Sequence, residues 1–313
     1  MHRKIEEWAF RHDYGHHSNP KGKDRAKILY DKCFVRPTIN KCWEILKGDK
    51  PDIERRKWAN DMLADLDPKK NGQDNVAMLC GRLTQSACDA ILIDGEPESK
   101  IIELTLKHYE EYQPRTWDDG TDKAKHEAYK DNLVGTIKVA CNGLKEATAL
   151  DNRIQPEVDL IEPLAGNVLP YFTKPDYNSR GDLKTKWPKK NARSKSGFSA
   201  ASIPKSIGAF ELAHLWQVAG FFALNGRRLP WLLYVNDSDY NLMTADNTPE
   251  LRADNLQDIV NRISQFHKVT ENMLRMCNHT DELFELVSPD FDQLCWQEPP
   301  SYLKHAKRLF GDV

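Results

Sequence analysis

Asp182 and Lys184 stand two residues apart in the stretch Gly181-Asp182-Leu183-Lys184-Thr185-Lys186, which reads as a buried strand. In a strand, residues i and i+2 share a face, so this carboxylate and this ammonium project side by side. A carboxylate so placed can hold a hard divalent cation, Mg²⁺ or Mn²⁺. The amine beside it can orient or deprotonate a water and stabilise charge on a phosphate. The spacing alone is not selective, because Asp67-Pro68-Lys69 and Glu98-Ser99-Lys100 share it. What separates the Asp182 pair is its company. Arg180, Lys184, Lys186, Lys189, Lys190, Arg193 and Lys195 crowd one short stretch whose single acid is Asp182. Such a run, which taken alone describes a solvated loop, can neutralise a nucleic-acid backbone when it adjoins a hydrolytic pair.

The elements that must position these groups can be read from periodicity. Apolar residues at helical spacing predict helices over 76–93, 98–112 and 123–150, so the front of the chain is mainly helical. Over 157–187 the texture changes to short apolar runs, at 158–164, 167–172 and 182–187, separated by turn-forming clusters such as Lys174-Pro175-Asp176-Tyr177-Asn178. These predict two or three antiparallel strands. A strongly apolar helix over 204–224 ends at Asn225-Gly226, a strand follows at 229–235, and helices are predicted over 255–277 and 302–310. The expected class is α+β, with a small mixed β-sheet flanked by helices. The expected organisation is one compact unit: a helical and polar region over 1–75, a core over 76–240, and a helical region over 241–313 packed on that core.

The order helix, strand, strand, strand bearing Asp-x-Lys, helix, strand resembles the core of the PD-(D/E)XK nucleases, and three stretches are similar to the RecB-type branch, which includes phage recombination exonucleases. Asp182-Leu183-Lys184-Thr185 resembles its strand motif, Gln217-Val218-Ala219-Gly220-Phe221 its following helix motif, and Gly81-Arg82-Leu83-Thr84-Gln85 an upstream helix motif. Together they span about half the chain. The resemblance implies a Mg²⁺-dependent deoxyribonuclease, an exonuclease on linear duplex DNA in recombination or replication. Asp182 would hold the metal, Lys184 would position the water, and Gln217 would orient water or phosphate, while Lys186, Lys189, Lys190, Arg193 and Lys195 would contact DNA. Gln217 and Phe221 lie one turn apart and share a helix face. Gln85 shares a face with Asp89 and is a possible metal or supporting group.

The resemblance is incomplete. Where the family carries a second aspartate, this chain has Leu169 in Gly166-Asn167-Val168-Leu169, and it has Phe221 where a tyrosine is usual. The missing oxygen ligand is expected from Asp159, on the neighbouring strand, with Glu157, Glu162 and Asp176 as further candidates. Asp176 is separated from Asp182 by only five residues, a tight span for bringing two strand-borne carboxylates together. If none of them serves, the chain reads as a degenerate nuclease fold that binds DNA ends or a partner protein without cutting. A more distant reading is a scaffold in which Lys184 guards a strand edge.

Composition bounds the rest. The 313 residues are 40% apolar and 29% charged with a net charge of −2, ordinary for a globular protein and incompatible with a general polycation. Seven widely spread cysteines without a Cys-x-x-Cys pair predict a reduced compartment and neither a zinc site nor a disulfide framework. The terminus has no signal-like apolar core, which predicts a cytoplasmic protein, in the host cytoplasm if phage-encoded. His12, His16 and His17 read as part of a polar leader, and Trp43, Trp58 and Trp117 as packing residues. A homo-oligomer and a recombination or replication partner are compatible with the resemblance.

Overall fold

The computed structural model describes residues 75–113, 120–151, 154–194, 197–208 and 211–276. His12, His16, His17, Trp43, Trp58, Trp117, Lys195 and the helix predicted over 302–310 lie outside them. The described residues divide into two compact units, one within 75–160 and 173–261, the other within 161–172 and 262–276.

In the first unit three helices form the helical front: α1 (Val76–Leu92), α2 (Glu98–Glu110) and α3 (Thr121–Thr148). Asn75 starts α1 by accepting the Met78 N–H on its side chain at 2.9 Å, which satisfies one of the first-turn donors that a helix leaves open. The buried Asp122 carboxylate takes another, accepting from Val76 N at 2.9 Å, and also holds the Tyr112 hydroxyl at 2.6 Å. The stripe Val76, Cys80, Thr84, Ala87 and Cys88 is buried along α1, the repeat that an amphipathic helix needs to face a core. On α3 the corresponding set is Leu133, Ile137, Ala140, Cys141 and Leu144. Cys88 and Cys141 meet across this interface as free thiols, their sulfurs 3.6 Å apart.

The helices cover a three-stranded mixed sheet in the order β3 (Gly181–Thr185), β6 (Trp231–Val235), β7 (Tyr240–Met243). β3 and β6 run parallel, pairing Asp182 with Leu232 and Lys184 with Tyr234, and β7 returns antiparallel. A parallel pair needs a crossover, here made through α4 (Leu212–Leu224). The sheet therefore has two dressed faces. Leu183, Leu233 and Val235 point into the core shared with α1, α2 and α3, where each fully buried leucine stabilises by about 2 kcal/mol. Gly143 of α3 lies so close to Leu233 that an added Cβ would stand 2.8 Å from its Cδ1. Asp182, Lys184 and Tyr234 point to the opposite face, under α4.

The strand prediction over 157–187 is met in part. β1 (Leu160–Pro163) and β2 (Pro170–Thr173) pair with each other in a separate two-stranded sheet, while β3 takes β6 as its ladder partner. The basic segment, read from sequence as a loop, folds into a short antiparallel ribbon of β4 (Lys189–Lys190) and β5 (Phe198–Ser199). α4 starts at Leu212, eight residues later than predicted, because 204–208 turn rather than wind.

In the second unit, the segment joining β1 to β2 is held on α5 (Ala253–Met276) through its residues from 262 onward. The fully buried Glu271 accepts from Val168 N at 2.6 Å and Leu169 N at 2.8 Å. Asn167 donates to the Ser264 hydroxyl at 2.8 Å, and that hydroxyl donates to Ala165 O. Leu169 is itself fully buried, so the position where a second acid was sought is a packing position. Among the described residues no helix is long and apolar enough to cross a membrane.

Candidate active site

Asp182 is fully buried, at the second position of β3. Lys184, two residues on, sets its Nζ 2.5 Å from Asp182 Oδ2. Gln217 reaches down from α4 and closes a triangle: its Nε2 donates to Asp182 Oδ1 at 2.9 Å and its Oε1 accepts from Lys184 Nζ at 3.2 Å. The amide is thus oriented by both partners. Phe221, one turn later, is fully buried. The three groups expected to form the catalytic set are in mutual contact.

The fourth group is Asp176. Asn178 and Ser179 both have positive φ, 50° and 58°, and Arg180 N donates to Tyr177 O at 3.0 Å. Two left-handed central residues define the tight hairpin turn of the primed type, whose twist matches that of flanking strands. The turn pairs Tyr177 with Gly181 and lets Asp176 N donate to Gly181 O at 2.9 Å. Five intervening residues are therefore enough. Asp176 comes back alongside the start of β3, where its Oδ2 accepts from Leu183 N at 2.9 Å.

A half-buried anchor holds the turn. Asp151 accepts from Asn178 Nδ2 at 2.9 Å and Arg180 Nη2 at 2.8 Å through one oxygen, and from Arg228 Nη2 at 2.8 Å through the other. Asn178 Oδ1 in turn takes the Gln155 N–H. Asparagine tolerates the left-handed region, and this network accounts for its use here.

The electrostatics follow from one lysine facing two carboxylates. Burial, followed by the neighbouring Asp182 charge, pushes the Asp176 carboxyl up to about 8, while Lys184 and the Leu183 N–H oppose that shift. Burial works against the Lys184 ammonium, but Asp182 and Asp176 outweigh it and hold its pKa above the usual lysine range. The raised Asp176 carboxyl is one that further positive charge brought to the site would favour in its ionised form.

Of the other candidates, Asp159 and Glu157 are solvent-exposed. Val158 N reaches Pro175 O at 3.4 Å, and Glu157 pairs with Lys174. The carboxylate that the fold sets against Asp182 is accordingly Asp176, the reverse of the order expected from strand alternation. Glu162 is exposed on β1 and belongs to the other unit. Gln85 is half-buried on α1, the helix whose Gly81 approaches Thr185 on the opposite face of β3. No hydrogen bond among the described residues joins it to Asp182, Lys184 or Gln217. Its helical neighbour Asp89 is raised in pKa by burial and faces the Tyr177 hydroxyl. Lys189, Lys190 and Arg193 are exposed on and beside the β4–β5 ribbon, and Lys186 lies half-buried next to the site.

Two neighbours were not anticipated. His214 precedes Gln217 by one helical turn, and its Nδ1 lies 2.8 Å from the Tyr234 hydroxyl. Tyr234 is the register partner of Lys184. The i, i+3 spacing of His214 and Gln217 was visible in the sequence, whereas the pairing of Lys184 with Tyr234 depends on the parallel ladder.

Asp182 and Asp176 are the residues of this site that could hold a divalent cation. Among the described residues Asp182 Oδ2 is buried with no hydrogen bond of good geometry, held by the Lys184 ion pair, and a second carboxylate adjoins it. No group of three or more His, Cys, Asp or Glu converges among those residues. A two-carboxylate site leaves further positions to water and phosphate oxygens, the usual manner of binding Mg²⁺. Comparison of the chain with protein-family models, with curated proteins and with solved structures finds no match.

Proposed function

We propose that this protein is a divalent-metal-dependent nuclease that hydrolyses phosphodiester bonds in DNA, acting as an exonuclease on linear duplex ends. The observation that carries this reading is the closed contact of Asp182, Lys184 and Gln217 with Asp176 beside it, a set in which two acids, one amine and one oriented amide gather around the start of β3. Asp176 and Asp182 would hold Mg²⁺ or Mn²⁺. The cation supplies a polarised water and neutralises charge on the phosphate when bound.

Lys184, kept protonated by two acids, donates to the water or to a phosphate oxygen and holds it in line for attack. Gln217 fixes the rotamers of both Asp182 and Lys184, and its neutral amide does not compete for the cation. The exposed Lys189, Lys190 and Arg193 give the duplex a sequence-independent electrostatic seat. The order of helices and strands around β3 supports the nuclease reading, and so does the crossover through α4 that brings Gln217 to the site.

The experiment is to incubate an end-labelled linear duplex and a closed circular DNA with the protein in Mg²⁺, Mn²⁺ or EDTA, beside Lys184→Ala. Metal-dependent loss of the linear DNA alone is expected, with the variant slower by about 10²- to 10⁴-fold. Binding without cleavage in either metal would overturn the catalytic reading in favour of a DNA-end-binding module.

A further inference from the structure

His214 is built into the same face as the proposed catalytic set without belonging to it. It stands one turn before Gln217 on α4, and its Nδ1 meets the hydroxyl of Tyr234, a residue with no exposed surface. A buried phenol has to place its proton somewhere, and His214 Nδ1 is the partner that this hydroxyl has among the described residues. The phenol therefore donates, Nδ1 accepts, and the ring proton sits on Nε2. That Nε2 has no hydrogen-bond partner among the described residues and is not sealed from solvent.

The surroundings make this N–H useful. Lys186 continues the alternation of Asp182 and Lys184 and lies with its Nζ 5.0 Å from the centre of the Tyr234 ring. Tyr234 is thus clasped by a cation over its ring and an imidazole at its hydroxyl. Burial first, then the nearby Lys184 charge, lowers the His214 pKa to about 4, so the ring is neutral at physiological pH. The nearby acid Glu211 is engaged by the Gly208 N–H at 3.2 Å.

We propose that His214 Nε2–H, its tautomer set by Tyr234, and the Lys186 ammonium form a phosphate subsite that holds the phosphodiester group next to the one being cleaved. The inference rests on the nuclease reading above, and it assigns to His214 a positioning role in binding. A neutral donor paired with a cation suits a singly charged phosphodiester.

The test measures binding of a fluorescein-labelled linear duplex by anisotropy in EDTA, and Mg²⁺-dependent cleavage of the same duplex, for the native protein, His214→Leu, His214→Gln and Tyr234→Phe. His214→Leu should raise Kd and KM about tenfold while kcat stays nearly constant, the loss expected for a hydrogen bond to a charged group. His214→Gln, whose amide nitrogen can occupy the place of Nε2, should recover most of the affinity. Tyr234→Phe frees the tautomer and should weaken binding in the same direction, which keeps the test decisive if the leucine variant does not fold.

Native cleavage with Kd and KM unchanged in both His214→Leu and Tyr234→Phe would overturn the subsite and leave the nuclease reading intact. Loss of affinity that glutamine does not restore would also overturn it, marking His214 as a packing residue. A native protein that neither binds nor cleaves the duplex would overturn both readings.

Discussion

A lysine paired with one fully buried carboxylate and neighboured by a half-buried one sets the logic of the site at the level of single residues. Asp182 and Asp176 raise the Lys184 pKa, so it acts as a cation and a donor rather than as a free-amine base. Asp176 is the residue on which the geometry and the spacing argument part. Asp176→Asn should abolish metal-dependent cleavage and weaken Mn²⁺ binding in titration calorimetry, because it removes one of the two carboxyl groups that would hold the cation. Asp159→Asn, a change at an exposed position, should leave both within about twofold, the usual range for surface substitutions. Equal losses in the two variants would show that Asp159 serves the metal as well.

At the scale of elements, the decisive piece is the turn from Tyr177 to Gly181. Two left-handed residues cost free energy that the Asp151, Asn178, Arg180 and Arg228 network offsets. Gly181 closes the hairpin and opens β3, and a Cβ built there would lie 2.0 Å from the Trp231 ring. Trp231 is itself nearly fully buried and stacks on Tyr177, so its ring is hemmed in by the core. Gly181→Ala should therefore destabilise the protein by about 1–3 kcal/mol in urea unfolding. It should also impair cleavage beyond what the stability loss explains, since the displaced turn carries Asp176. A variant with native stability would mean that Trp231 can move aside.

On the scale of the whole molecule, a net charge of −2 means that the proposed affinity for DNA would have to come from a local patch such as the β4–β5 ribbon. Neutralising Lys189, Lys190 and Arg193 together should reduce the slope of log K against log salt by about 0.9 for each phosphate that the ribbon no longer neutralises. A slope that does not change would place the duplex elsewhere. Stability has its own pH signature. Burial lowers the His267 pKa to about 4 from 6.5, with Glu271 acting in the opposite direction. Between those values the unfolded chain binds a proton that the folded chain refuses. Stability from this group is thus complete above the unfolded pKa, is lost as pH falls toward about 4, and changes no further below it. The full effect is about 3 kcal/mol. His267→Phe should flatten that part of the curve when urea unfolding is compared at about pH 7 and about pH 4, whereas an unchanged slope would assign it to other groups.

Much of this was legible along the chain because it is local. Helical periodicity located α1, α2, α3 and α5, alternation put Asp182 and Lys184 on one strand face, and one-turn spacing put Gln217 and Phe221 on one helix face. These properties follow from the geometry of single elements. What the amino-acid order did not reveal are relations between segments. The parallel ladder that makes Tyr234 the neighbour of Lys184 is set by where α4 can pack, and β7 and the β4–β5 ribbon depend on partners that too few residues encode for periodicity to reveal. Asp176 was decided by a turn whose left-handed residues are stabilised by Asp151, Gln155 and Arg228 from other segments. Leu169 reads as an absent acid only when strands are aligned by motif; its burial and the Glu271 contact to its N–H show a packing residue. Residue chemistry and local spacing belong to the sequence by itself, while the pairing of distant backbone groups, and with it the second carboxylate of the site, is settled only when the tertiary structure satisfies every buried polar atom it can.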